Sequence, residues 1–242
     1  MRKAAKENIV VVCTIALCFV LTLSLCAMFS GSGILGVFSA SGNNGGSTVY
    51  AITIGGFSDM TLARATSDVI RQRGGAGYVM EGESIEIIYA AYPDRESANG
   101  VLIALDESSA YIKEIEIADS KLKWADSGVK PAVKGALGYY DVAFEVLYTT
   151  ANALNANVMN TDDARTQIRV LQAQIDDLKS VFYQSVTEYD SEQITEIKLA
   201  LITALALLEN VKTEGTVAGF TSSVRYALVQ LVLCRQALMN RI

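Results

Sequence analysis

The rhythm of apolar and polar positions changes three times along the chain. Ile9 to Phe29 (IVVVCTIALCFVLTLSLCAMF) is a run of 21 residues without a charge. At about 1.5 Å of helical rise per residue it spans a hydrocarbon core about 30 Å thick, and it exceeds the roughly 7–15 apolar residues of a secretory leader. A short-period pattern of strands and helices follows over 48–119, and from Gly128 onward the pattern is helical to the C-terminus. These changes predict a cytoplasmic N-terminus over 1–8, a transmembrane helix over 9–29, a flexible linker over 30–47, an α+β domain over 48–119, a second linker over 120–130 and an all-α bundle over 131–242. The first linker, SGSGILGVFSASGNNGGS from Ser30, is rich in Gly, Ser and Asn and carries no charge, the composition of a tether.

Within 48–119 the elements come in a definite order. Val49 to Ile54 is β-branched and aromatic and ends at Gly55-Gly56, as a first strand does. Ser58 or Asp59 can cap a helix carrying Leu62, Thr66, Val69 and Arg73, which Gly74-Gly75 stop. Tyr78 to Met80 and Ile85 to Tyr92 read as strands on either side of the Glu81-Gly82-Glu83 turn. Asp94 then caps a helix with Ala98, Val101, Leu102 and Leu105, and Tyr111 to Ala118 is a fourth strand. The expected fold is a split βαβ arrangement, β-α-β-β-α-β, with one antiparallel sheet and both helices on one face.

The stretch YAITIGGF (Tyr50 to Phe57) running into a helix, a later Gly-Tyr strand, and IIYAAY-x-x-RESA (Ile87 to Ala98) resemble the SPOR domain of bacterial envelope proteins. Against that family's usual pattern this chain has Thr53 where Gln is common, Gly56 for Ser, and Ala90-Ala91-Tyr92 for Gly-Pro-Phe. The resemblance implies binding to peptidoglycan glycan strands stripped of stem peptides, in division or sporulation. Strand parity supplies a surface: with Ile52, Ile54, Ile85, Ile87, Ile115 and Ile117 toward the helices, an open face would show Ala51, Thr53, Glu86, Ile88, Ile112, Glu114 and Glu116. Thr53, Glu86 and Ile88 lie near its middle and are the candidate glycan-binding residues. The same residues also suit an ordinary solvated face, or an acidic surface for a basic partner protein.

Four helical seams make up the remainder. Val133, Leu137, Tyr140, Phe144, Leu147, Ala151, Leu154 and Val158 step by threes and fours; so do Ile168, Leu171, Ile175, Leu178 and Phe182, then Ile194, Ile197, Leu201, Ala204 and Leu208. The last runs Val217, Phe220, Val224, Ala227, Leu231, Cys234 and Leu238. Pro131 suits a first turn, and Asn160, Asp190-Ser191 and Gly215-Thr216 mark the breaks. The short connections predict an antiparallel four-helix bundle. The same heptads would also serve a dimeric coiled coil, so a homo-oligomer stays open.

Charge and composition narrow the function. Arg2, Lys3 and Lys6 precede the apolar run against Glu7 alone, which orients a single-pass protein with everything after Phe29 outside the cytoplasm of a bacterial cell. A net charge of −6 excludes a nucleic-acid partner, and the absence of His removes imidazole catalysis and His-ligated metal sites. Cys13, Cys18 and Cys26 fall in the apolar run and Cys234 stands alone outside it, so no disulfide framework, zinc site or other cofactor is expected. Glu81, Glu83 and Glu86 are the only carboxylate group reminiscent of a glycosidase, and two of them sit in a turn, so no enzymatic activity is expected. The expectation is a membrane-anchored envelope protein whose SPOR-like domain binds glycan strands and whose bundle docks envelope or division proteins, with membrane lipid around the N-terminal helix. The alternative is a non-catalytic envelope scaffold whose SPOR-like domain does not bind glycan.

Overall fold

The computed structural model describes residues 47–119, 129–212 and 215–242. The expected transmembrane helix over 9–29, and the tether up to its last residue, lie outside the described residues. Within them the chain is mixed α+β, a four-stranded antiparallel sheet with six helices. In chain order these are β1 Ser47–Phe57, α1 Met60–Gln72, β2 Tyr78–Glu81, β3 Ile85–Tyr92, α2 Arg95–Leu105, β4 Ala110–Ile117, α3 Val129–Asn155, α4 Thr161–Ser185, α5 Glu192–Glu209 and α6 Val217–Arg241.

Side-chain caps set most of the helix starts. Asp59 accepts from the Thr61 amide, Asp94 from Ser97, Asn160 from Asp163, Ser191 from Ile194 and Thr216 from Gly219. Each satisfies an N–H that the first turn leaves unpaired, a contribution of about 1 kcal/mol. Past the end of α1 the chain turns at Gly74, whose φ of 86° is one that a side chain disfavours.

The strands lie in the order β2-β3-β1-β4, with β1 antiparallel to both β3 and β4. Two bulges break the β1–β3 ladder. Ile52 pairs with Ala90 but Thr53 with Ile88, which leaves Tyr89 as an extra residue; its carbonyl accepts from the Ala76 amide at 2.6 Å instead. The second lies at Gly55-Gly56, where Gly56 has φ 87°.

Both faces of this sheet are covered, which corrects the expectation of an open one. On one side Ile52, Ile54, Ile87, Ala90 and Tyr92 pack with Ala63 and Ile70 of α1 and Ala98 of α2. On the other, Val49, Ala51, Ile88, Ala91, Ile115 and Ile117 join one core with the buried residues of α3 to α6. The parity of β4 is opposite to the expected one. Ile115 and Ile117 turn to the helical half, Ile112 packs beside Ile52, and Glu114 meets Arg95 of α2 at 2.7 Å. In α1 the buried stripe is Ala63, Ser67 and Ile70, whereas Leu62 and Val69 are exposed.

Consecutive helices of the C-terminal half pack in turn, and α3 also packs along α6. Asp141, midway along α3, pairs with Arg235 in the C-terminal part of α6, while Asn152, near the end of α3, faces Arg225 in the N-terminal part of α6. The two helices therefore run antiparallel. Helix α6 lies between this group and the sheet: Arg225 donates to the Gly74 carbonyl at 3.0 Å, Gln236 donates to the Glu116 carbonyl at 2.9 Å, and the Tyr226 ring lies 5.4 Å from that of Tyr78. Its position explains its composition. Among the described residues α6 is the one helix long and apolar enough to cross a membrane, yet more than half of that apolar stretch is buried inside the fold, as a helix packed on two sides requires. The sheet and the helical half, expected as separate domains over 48–119 and 131–242, share this core.

Candidate functional site

Thr53, Glu86 and Ile88 do share one face and neighbouring positions, but Thr53 and Ile88 lie beneath a cover and Glu86 is partly exposed at its edge. Thr53 and Ile88 are 0% exposed. Ile88 belongs to the core that the sheet forms with α3 to α6. Glu86 on β3 reaches across β1 to the outer strand β4, where its carboxylate accepts from Lys113 Nζ and from Tyr111 Oη, both at 2.7 Å. Small residues on β1 permit the crossing, with the Tyr111 ring so near Gly55 that a Cβ there would stand 3.2 Å from it. The Thr53 hydroxyl is buried and finds no hydrogen-bond partner.

The electrostatics follow from these contacts. Partial burial pushes the Glu86 carboxyl up, but the hydrogen bonds from Lys113 and Tyr111 outweigh it and hold the group below its ordinary range. Burial, with the neighbouring carboxylate, pushes the Tyr111 phenol up to about 12. With both oxygens engaged, Glu86 is a structural anion and not a poised base. Glu81 at the end of β2 and Glu83 in the turn after it are exposed, and the three acids form no cluster. Among the described residues no group of three or more Cys, Asp or Glu side chains is placed to hold a metal.

Where the sheet meets the helical half, the polar interior is organised around Arg225. Its side chain is buried, donates to the Gly74 carbonyl, and lies 6.0 Å from the Tyr89 ring centre. The Tyr92 hydroxyl is buried without a partner, and burial pushes this phenol up to about 12.

A cleft of about 160 Å³ lies at the same junction, beside the first residues of β1. Its walls are Val49 and Ile117 from the sheet, Phe144 from α3, and Leu231 and Val232 from α6. Asp141 and Arg235 close one side as an ion pair, and the guanidinium lies 5.8 Å from the Tyr140 ring centre. Asp141 Oδ2 is buried with no hydrogen-bond partner, and the Tyr140 ring stacks on that of Tyr139 with centres 4.1 Å apart. Burial pushes the Tyr140 phenol well up. Sequence reasoning assigned no role to Asp141 or Arg235 and read Tyr140 as a core position. A signal existed: an acid and a base, each beside an apolar seam on helices expected in one bundle, are charges that can pair inside it.

Comparison of the chain with protein-family models, with curated proteins and with solved structures returned no match.

Proposed function

We propose that this chain is a non-catalytic scaffold of the bacterial cell envelope, anchored by the apolar run over 9–29 with its N-terminus in the cytoplasm. In this reading the SPOR-like sheet packs on the chain's own helical half instead of on glycan, and the protein works through contacts with other envelope, division or sporulation proteins. The observation that carries it is the burial of Thr53 and Ile88, because a glycan cannot reach two side chains without solvent access. The outer face of α5 supports a protein-contact role, with Leu199 52% and Ile202 49% exposed, two large apolar side chains three residues apart on one helix.

Retention on amidase-treated peptidoglycan tests the reading. The full chain in mild detergent is expected to pass over denuded glycan no more slowly than over untreated sacculi, and specific retention would overturn the scaffold assignment. A glycan-binding role keeps one accessible foothold, the Tyr111 ring, 39% exposed beside Glu86. Retention that Tyr111→Ala removes would place glycan recognition there.

A further inference from the structure

The cleft between the sheet and the helical half opens where the described chain begins. The first residues of β1 line one side of it, and Ile117, Phe144, Leu231 and Val232 give it apolar walls. Asp141 and Arg235 beside it are already paired with each other, so an incoming group meets apolar surface and no net charge. The volume of about 160 Å³ suits one aromatic ring, since an apolar cavity of about 150 Å³ admits benzene.

The chain supplies such a ring close by. The segment Ser30 to Gly46, outside the described residues, is rich in Gly, Ser and Asn except at Ile34-Leu35-Gly36-Val37-Phe38. Phe38 stands nine residues before Ser47, and the SASGNNGG between them is made of residues that favour reversals and carries no charge. Fully extended, that stretch spans about 30 Å, ample to double back to a cleft that Ser47 itself lines. A ring held on so short a linker has an effective concentration in the millimolar range, against a dissociation constant on the order of 1 mM for a group of this size. We propose that Phe38 docks into this cleft and ties the segment before β1 back onto the folded half. The contact does not depend on the scaffold reading, but its consequence rests on the anchor over 9–29 in that reading. Eighteen residues, about 60 Å at full extension, separate Phe29 from Ser47, whereas nine, about 30 Å, separate Phe29 from Phe38. Docking therefore halves the distance at which the folded half can meet a partner, and release of Phe38 restores it.

The test uses the full chain in lipid nanodiscs, with methyl-labelled Ile, Leu and Val. Phe38→Ala removes a ring current from the cleft and is expected to shift the methyl signals of Ile117, Leu231 and Val232 together, whereas Ser41→Ala leaves them in place. Neither substitution touches the core, so folding is not at stake. In a Thr48→Trp background, where the new side chain blocks the rim, Phe38→Ala should produce no such shifts. Cleft signals that ignore Phe38→Ala, as they would with Phe38 held in the lipid interface, overturn the proposal. So do shifts that persist behind the blocked rim, which would place Phe38 elsewhere. Recovery of the parent signals when labelled Phe38→Ala is assembled with excess unlabelled parent in the same nanodiscs would show docking between two copies, and would equally overturn docking within one chain. The readout involves no glycan, so specific retention on peptidoglycan would remove the scaffold reading and leave this contact standing.

Discussion

Ile88 distinguishes a covered sheet face from an open one by a wide margin. Were it an exposed strand residue, Ile88→Ala would change stability by no more than about 0.5 kcal/mol. In the structure Ile88 is 0% exposed and packed in the core that the sheet shares with α3 to α6. Truncation to Ala removes three carbons, which at about 0.8 kcal/mol each is roughly 2.4 kcal/mol of transfer free energy. The residual cavity adds to this, and large-to-small changes of this type span about 2–5 kcal/mol. A loss of about 3 kcal/mol is therefore expected for Ile88→Ala. The assay is urea unfolding of Ser47–Ile242 followed by circular dichroism, with Ile103→Ala as the control, because Ile103 is 72% exposed on α2. The control should stay within about 0.5 kcal/mol of the parent. A cost below about 1 kcal/mol for Ile88→Ala would show that α6 does not sit on the sheet, and the argument against glycan on this face would go with it.

Thr53→Val replaces a buried, unpartnered hydroxyl with a methyl of the same shape and should raise stability by about 1 kcal/mol in the same urea assay; a loss of that size would mean that the hydroxyl has a partner. Glu86 is held below its ordinary range in the folded chain, so its stabilising contribution is complete above the unfolded value of about 4.3 and is lost as pH falls through the lower folded value. The stability difference between the parent and Glu86→Gln should accordingly be largest near neutrality and shrink below about pH 4; a difference independent of pH would contradict the assignment. The fragment Val129–Ile242 exposes the side of α6 that carries Arg225, Tyr226 and Gln236, and should unfold less cooperatively than Ser47–Ile242 and bind a hydrophobic dye; a cooperative, dye-free fragment would show that the helical half has a core of its own.

Much of the architecture was legible because each element carries its own local instruction. Asp94, Asn160, Ser191 and Thr216 cap the helices that their positions predict, and the seams of α4 and α5 are buried at every step, from Ile168 to Phe182 and from Ile194 to Leu208. The bulge at Tyr89 was not legible. It needs an acceptor for the Ala76 amide and space beside Gly75, where a Cβ would come within 2.7 Å of the Tyr89 ring, and both are tertiary facts. Beyond that bulge the parity of β3 reverses, so Ala90 and Tyr92 face α2 on the same side as Ile85 and Ile87.

The sheet's second cover was written in the sequence in a form that alternation alone cannot decode. Period two separates the two sides of a strand but does not say which side meets which layer, and in β4 the Ile115–Ile117 side was assigned to the wrong one. The better signal lies in the central strands. VYAITI of β1 and IEIIYAAY of β3 are nearly continuous in apolar residues, the composition of strands buried on both faces, whereas a half-solvated sheet would alternate with polar side chains. Helix α6 says the same from the other side, since it carries buried residues from Phe220 to Met239 around its circumference instead of along one stripe. A strand that is apolar on both faces and a helix that is apolar all round each need two neighbours. Packing α6 across the sheet, against β3 and β4, satisfies both requirements at once, and the surface it consumes is the one on which glycan recognition would have depended.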